Sequence, residues 1–454
     1  MKPLSMIVLA AGNSTRLKSR LTKVMHPLCG RPLLDYVLAT ARALRPKRIA
    51  VVLGNDRERV LEHLKGQKGL IFAHQKERRG TAHAAQVGLK ALGQAQGHVV
   101  ILSGDVPLLK PETLKRLLRL GAARPLSLVT AVVADPFGYG RILRDGAGRV
   151  QGIVEEKNAS PEERQINEIN AGIYCVEAGF LRKALAQIRP DPVKKEFYLT
   201  DIVGYAASHG IPVHTVAVEQ SHEILGVNTR AELAYLEQIH RQEIAARHLD
   251  AGIGMQDPNT VYIDADVKVG EDSYLGAGVQ LLGATKVGKG CRIGPGCIVI
   301  DSQLGDGVQL RPYSHLDRSV VKSGATVGPF SHLRPASVVS EEAHVGNFVE
   351  LKKTVLGRGS KANHLSYLGD AVIGRGVNIG AGTITCNYDG KKKFPTYLED
   401  EVFVGSDTQL VAPVRVGKGA YIGAGTTVTQ NVPPGALAVS RVPQRNIKGY
   451  KGKK

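Results

Sequence analysis

Val416-Gly-Lys-Gly-Ala-Tyr-Ile422-Gly-Ala-Gly-Thr-Thr-Val428 places an aliphatic residue at every sixth position. Glycine follows two of them, and small residues stand four places after Val416 and Ile422, at Ala420 and Thr426. The spacing extends back through Leu410 to Val404 and reappears upstream as Ile263, Val269, Leu275, Leu281, Val287, Ile293 and Val299. A five-residue step leads on to Leu304 and then Leu310. Leu356, Ala362, Leu368, Ile373 and Ile379 form a further run. A period of six is neither the 3.6 of a helix nor the 2 of a strand meander. It is the signature of a parallel β-helix built from hexapeptide repeats. Three hexapeptides are expected to close one triangular coil, with each aliphatic pointing inward onto its counterpart one coil away. Glycine is expected at the corners, where φ turns positive.

Outward from that stretch, 454 residues exceed one ordinary core and predict two or three domains. The net charge of +19 suits nucleic acid, an anionic membrane or anionic small molecules. Aromatics at 5% and the absence of Trp argue against base-stacking platforms, so phosphorylated substrates are expected and nucleic acid is not. Part of the charge is the terminal run Lys448 to Lys454, read as a solvated tail. Cys29, Cys175, Cys291, Cys297 and Cys386 form no CxxC pair. Cys291 and Cys297 are one hexapeptide apart and read as interior fillers. A reducing, cytoplasmic setting follows most simply. No apolar run reaches membrane-spanning length, so no membrane partner is expected.

The amino-terminal half alternates strand and helix patterns: strand Ser5 to Leu9, helix Leu33 to Leu44, strand Arg48 to Leu53, helix Arg57 to Leu64, strand Leu70 to Ala73, helix Ala82 to Leu92, strand His98 to Leu102. Such alternation predicts a mostly parallel, doubly wound, Rossmann-like α/β sheet. The first strand runs into Ala10-Ala11-Gly12-Asn13-Ser14-Thr15-Arg16, where small residues let backbone N–H groups approach phosphate and Arg16 adds charge. Lys23 follows. Ser103-Gly104-Asp105 closes the last strand, where ligands sit in open α/β sheets. Asp105 reads either as an oxygen ligand for Mg²⁺ or as a cap for the helix after Pro107.

At this point a resemblance is specific. Leu9-Ala10-Ala11-Gly12 with Thr15-Arg16, Lys23, Gln75, Gly80-Thr81 and Gly104-Asp105 is similar to sugar-phosphate nucleotidylyltransferases. Gly138-Tyr139-Gly140-Arg141, Glu155-Glu156-Lys157, Asn170-Ala171-Gly172 and Gly226-Val227-Asn228 continue the pattern in order. With the hexapeptide half attached, almost the whole chain resembles the bacterial bifunctional N-acetylglucosamine-1-phosphate uridylyltransferase / glucosamine-1-phosphate N-acetyltransferase family. The resemblance implies that residues 1–229 form a uridylyltransferase domain and 230–250 a linker helix. It implies that 251–454 form a left-handed β-helix acetyltransferase domain with a carboxyl-terminal tail. It also implies synthesis of UDP-N-acetylglucosamine for cell-wall and lipopolysaccharide precursors, in two steps. Acetyl passes from acetyl-CoA to glucosamine 1-phosphate, then uridylyl from UTP to N-acetylglucosamine 1-phosphate with release of pyrophosphate. Arg16 and Lys23 would neutralise phosphate charge. Leu9, Ala10, Ala11, Gly12, Lys23, Gln75, Gly80, Thr81, Ser103, Gly104 and Asp105 would hold UTP, with Gln75 and Thr81 near the uracil. Asp105 and Asn228 would bind Mg²⁺, and Gly140, Glu155 and Asn170 the sugar phosphate. Two positions depart from the family: Ser14 replaces a second glycine, and Thr22 stands where proline is usual before the lysine.

In the carboxyl-terminal half the resemblance rests on His332-Leu333-Arg334-Pro335, Asn347 to Lys353, Lys361 to Asp370, Asn378, Gly380-Ala381-Gly382, Cys386 to Gly390, Ser406, Ala424 and Arg441. It implies that Arg334 and Lys352 clamp the sugar phosphate and that Tyr367 and Asn378 orient the sugar. Ala381, Asn387, Tyr388, Ser406, Ala424 and Arg441 would line acetyl-CoA, and His364 would accept the proton of the attacking amine. Read alone, His364 is more simply one of fourteen ordinary histidines. Thr383 to Tyr397 breaks the hexapeptide register and reads as a projecting loop. Its Lys391-Lys392-Lys393 would reach a neighbouring subunit of a homotrimer, as the resemblance implies, or be a solvated basic turn. Thr229 to His248 reads as the linker helix or as a core helix of the first domain. The alternative functional reading is a sugar-1-phosphate nucleotidylyltransferase whose β-helix only oligomerises.

Overall fold

The computed structural model describes residues 3–12, 16–55, 57–192 and 195–450. Asn13, Ser14 and Thr15 of the phosphate loop, and the last four residues of the basic tail, lie outside the described residues. The chain forms two compact units, Met1–His240 and Arg241–Lys454. Their boundary falls inside the helix Arg230–Asp250 rather than at either of its ends.

Among the described residues the first unit holds a nine-stranded sheet. Its main path runs Val213–Ala217, Leu126–Val132, Glu168–Glu177, His98–Ser103, Leu4–Ala10, Arg48–Leu53, Leu70–His74. The strand Leu4–Ala10 is almost continuously apolar because both sheet faces are covered. Alternate side chains enter opposite cores, Met6, Val8 and Ala10 on one face and Ile7 on the other. Leu4–Ala10 pairs in parallel with both neighbours, and Arg48–Leu53 with Leu70–His74. The expectation of a mostly parallel sheet needs one amendment. Glu168–Glu177 runs antiparallel to both neighbours, and the hairpin Arg141–Arg144/Val150–Val154 attaches to it. Helices Leu33–Ala43, Thr81–Ala91 and Pro111–Gly121 supply the covering layers.

The second unit is a three-sided parallel β-helix. Its faces carry eleven, ten and nine short strands among the described residues. Leu275, Ile293, Leu310, Val327, Val345, Ala362, Ile379, Val404 and Ile422 stack in register up one face. Every one of them is buried. Where the sequence steps by five, the coil shortens, as between Val287 and Leu304, and the stack is kept. One aliphatic position on a second face is Thr385, whose hydroxyl accepts from Gly369 N at 2.7 Å. Cys291 and Cys297 are fully buried fillers, as expected. None of the five cysteines is in a disulfide.

The reason given for the corner glycines is corrected. Gly270, Gly276 and Gly288, next to the inward aliphatics, have no positive φ. They are glycine because coils approach closely: a Cβ at Gly276 would lie 2.5 Å from Pro295 N. The positive φ falls two residues later, at Asp272, Gly278 and Gly290, and again at Gly296 after Gly294. At the corresponding corner of later coils Tyr313, Phe330, Phe348 and Leu365 adopt it without being glycine. The break around Lys391–Lys393 is also narrower than Thr383 to Tyr397. Ile384–Cys386 and Thr396–Leu398 are ordinary rungs, and only the hairpin between them is inserted.

Candidate functional sites

In the first unit the carboxyl ends of strands Leu4–Ala10, His98–Ser103 and Leu70–His74 open onto a cavity of about 380 Å³. Leu9, Ala11, Gly12, Lys23, Gln75, Gly80, Thr81, Ser103 and Asp105, all singled out from sequence, line it. Ala10 is buried beside it. Gly104 N donates to Leu9 O at 2.9 Å, tying the two strand ends together. Arg78, Glu196 and Tyr198 also line the cavity and were not singled out. Burial, then the carboxylates of Glu196, Asp191 and Glu155, push the Tyr198 hydroxyl up to about 12, so it stays protonated. A larger cleft of about 630 Å³ lies by Arg144, Arg149 and His214. Its arginines are already paired, Arg144 with Glu168 and Arg149 with Asp145. Those pairs make it a poor receptor for phosphate.

At the cavity mouth Lys23 Nζ is ion-paired with Asp105 and donates to Asn228 Oδ1 at 2.8 Å. Arg16 Nη2 donates to the same oxygen at 2.7 Å, and Ser103 Oγ to Asp105 Oδ1 at 2.6 Å. Asn228 is fixed by local sequence. Thr229 and Glu232 form a capping box at the start of the helix, and Glu232 Oε2 accepts from the N–H groups of Asn228 and Thr229. Asp105 therefore serves this cluster and caps no helix; the next helix begins only at Pro111. Gly226 brings the segment close, since a Cβ there would lie 3.7 Å from the Asp105 carboxylate.

Gly140, Glu155 and Asn170 form a second group. Asn170 N donates to Gly140 O at 2.9 Å, and Thr200 Oγ1 to Glu155 Oε1 at 2.9 Å. Asn170 Nδ2 donates to the Tyr174 hydroxyl at 2.7 Å. Tyr139, beside Gly140, connects this group to the first. Burial, then the carboxylates of Glu232 and Asp105, hold its hydroxyl above the ordinary tyrosine value.

In the β-helix the strand register decides which residues meet. Ala362, Ile379, Val404 and Ile422 are stacked, so the residues two places on, His364, Ala381, Ser406 and Ala424, rise along one corner. Asn347 precedes His364 in that column, and its Oδ1 lies 2.8 Å from His364 Nδ1. Arg441 closes the far end: a Cβ on Gly423 would lie 2.8 Å from its Nη2. On the adjoining face Arg334 Nη1 donates to Glu350 Oε1 at 2.9 Å, and Lys352 lies 3.8 Å from Asp370. Asn387 Nδ2 donates to Asp370 Oδ2 at 2.6 Å. The Tyr367 hydroxyl leans over Gly369, where a Cβ would meet it at 2.4 Å. Asn378 lies on the other face, in register with Lys361 and three positions before Ala381. Tyr388 stands apart within this chain; its exposed ring belongs to the inserted hairpin and its hydroxyl donates to Gly390 O. Sequence reading treated Lys393 as one of a bare run. The structure sets it against Lys352, which holds its ammonium below the ordinary lysine value.

A sheet with a cavity at its strand ends, on one chain with a hexapeptide β-helix, is the architecture of a nucleotidyltransferase unit joined to an acyltransferase unit. The family model of the MobA-like NTP transferase domain matches residues 6–168. The bacterial transferase hexapeptide model matches 266–301, and the hexapeptide repeat of succinyl-transferase matches 395–430. These repeats are those of the left-handed parallel β-helix. The chain is 48% identical to the bifunctional protein GlmU of Pelobacter propionicus, over 99% of this chain and 98% of that one. It is 48% identical to that of Trichlorobacter lovleyi, over 98% and 97%, and 45% identical to that of Geotalea uraniireducens, over 100% of both. The chain belongs to the GlmU family. It is a bifunctional enzyme of UDP-N-acetylglucosamine synthesis, a uridylyltransferase and an acetyltransferase. The reading of a β-helix that only oligomerises is set aside, since the relatives match both halves.

Proposed function

We propose that the two reactions divide between the two units and that the residues above carry them. In the first unit the cavity takes UTP, with Gln75 and Thr81 at the uracil and the Leu9–Gly12 backbone at the phosphates. Gly140, Glu155 and Asn170 take N-acetylglucosamine 1-phosphate. Arg16 and Lys23 neutralise the negative charge that separates the sugar phosphate oxygen from the α-phosphorus it attacks, so the work is positioning and electrostatics. Asp105 and Asn228 turn oxygen donors toward a point now bridged by the Lys23 ammonium, which fits a hard divalent cation. They would hold Mg²⁺, which adds charge neutralisation at the phosphates.

In the second unit Arg334 and Lys352, with Lys393 beside them, take the phosphate of glucosamine 1-phosphate. Tyr367 and Asn378 orient the sugar. Acetyl-CoA lies along the corner of Ala381, Ser406 and Ala424, with Asn387, Tyr388 and Arg441 around it. Asn347 Oδ1 accepts from His364 Nδ1–H, which leaves Nε2 as the basic nitrogen for the proton of the 2-amino group. The exposed hairpin and the position of Tyr388 suit a homotrimer in which a neighbouring chain completes this site. No helix among the described residues is long and apolar enough to cross a membrane. The five cysteines outside disulfides support a reducing cytoplasmic location.

The observation that carries this reading is that Arg16 and Lys23 reach one amide oxygen on Asn228, 212 and 205 positions away. The test is Asp105→Asn. Pyrophosphate release from UTP and N-acetylglucosamine 1-phosphate at limiting Mg²⁺ should fall at least about 100-fold. Release of CoA with glucosamine 1-phosphate should be unchanged. Full uridylyl transfer in the variant would remove Asp105 from the site.

A further inference from the structure

Gln75 is held at its amide nitrogen and left open at its amide oxygen. Nε2 lies 3.1 Å from Gly80 O and 3.2 Å from His83 Nδ1. A main-chain carbonyl only accepts, so the atom facing Gly80 is the nitrogen whichever way the amide was first drawn. The second contact then makes His83 Nδ1 an acceptor, and the imidazole carries its proton on Nε2. Oε1 accepts no hydrogen bond from the described residues, and the side chain lines the nucleotide cavity. Gln75 and Gly80 are both held in place. Gln75 is buried, and its N–H donates to Leu53 O at 2.9 Å. Gly80 sits at φ 99°, with Phe197 O only 2.4 Å from where a Cβ would be.

We infer that His83 is a positioning residue that sets base specificity: it accepts the second amide proton of Gln75 and so locks Oε1 toward the nucleotide as an acceptor for the N3–H of uracil. This rests on the proposed placing of Gln75 at the base. Uracil presents a donor at N3, whereas cytosine presents a lone pair there. A fixed acceptor attracts the first and repels the second. An amide free to turn over would offer its NH₂ to cytosine and discriminate less, so selectivity resides in the lock as much as in the glutamine. His83 stands in the first turn of the helix Thr81–Ala91 and touches Gln75.

The experiment uses the full chain with Mg²⁺, N-acetylglucosamine 1-phosphate and either UTP or CTP, reading kcat and KM from pyrophosphate release. The parent is compared with His83→Ala, His83→Asn and Gln75→Ala. The ratio of kcat/KM for the two nucleotides is independent of the active fraction of each preparation. His83→Ala should lower the UTP/CTP ratio about tenfold, the scale of one hydrogen bond, mainly through a higher KM for UTP. His83→Asn should restore most of it, because Asn Oδ1 can stand where the imidazole places Nδ1. A ratio lost in Gln75→Ala but kept in His83→Ala would overturn the lock and leave the placing of Gln75 intact. A ratio unchanged in Gln75→Ala would overturn both. A loss in His83→Ala that Asn does not repair would reduce His83 to filling space and overturn the inference.

Discussion

His364 is one of fourteen histidines, and its ring partner sets it apart. Asn347 Oδ1 lies 2.8 Å from His364 Nδ1, and the small residues Ala381, Ser406 and Ala424 rise along the corner above it. His364→Ala should lower acetyl transfer by about 10²–10⁴-fold, the usual worth of a positioned base. Asn347→Leu, which removes only the acceptor on Nδ1, should cost about tenfold and shift the pH profile, while uridylyl transfer by the same proteins is retained. CoA release at neutral pH is the readout, and an unchanged rate in His364→Ala would make this histidine structural. At this scale the sequence alone was weak. Asp105 read equally as a cap, Lys393 as a solvated charge, and Tyr198 carried no signal because its loop joins the cavity only through tertiary packing. The family pattern named most of the site. The contacts of Asn347 with His364, His83 with Gln75 and Glu232 with Asn228 came from distances.

Elements were more legible. Strand Arg48–Leu53 has the bounds its apolar run predicted, and the hexapeptide period foretold three stacked faces, because both signals are local and repeat. The antiparallel strand Glu168–Glu177 was not read, since a buried strand looks the same whichever way its neighbours run. The hairpin attached to it is anchored by two ion pairs, Arg144 to Glu168 and Arg141 to Glu156. Arg141 is almost fully buried, and its Nη2 donates to Glu156 Oε2 at 2.6 Å. Arg141→Ala should destabilise the first unit, because it empties a buried site and leaves Glu156 without its partner. The Arg141 hydrogen bond holds Glu156 below the ordinary carboxylate value of 4.5. That contribution is present above the unfolded value and is lost as pH falls through the lower folded one. Glu156→Gln should therefore lower the melting temperature at pH 7, with the difference from the parent shrinking below about pH 4. Thermal unfolding at both pH values checks this, and a pH-independent difference would contradict it.

For the whole molecule, the central claim is that two units on one chain perform two separable reactions. Each has its own core, and a solenoid buries its interior coil on coil, so each should fold alone. The sequence placed a linker helix over 230–250, and the division between the units falls within it. The helix Arg230–Asp250 crosses the boundary. Glu232 secures Asn228, and His240 packs edge-on against Tyr36 at 5.1 Å, whereas Arg241 lies 3.8 Å over the Tyr262 ring and bonds Asn259 O. A first fragment ending at Thr229 would lose the capping box that holds Asn228; one ending at His240 keeps it. The most direct measurement assays purified fragments 1–240 and 241–454 separately, for pyrophosphate release and for CoA release, with sedimentation of each. The account predicts that the first releases only pyrophosphate as a monomer and that the second releases only CoA as a trimer. A fragment that catalyses both reactions, or a folded fragment that catalyses neither, would contradict it.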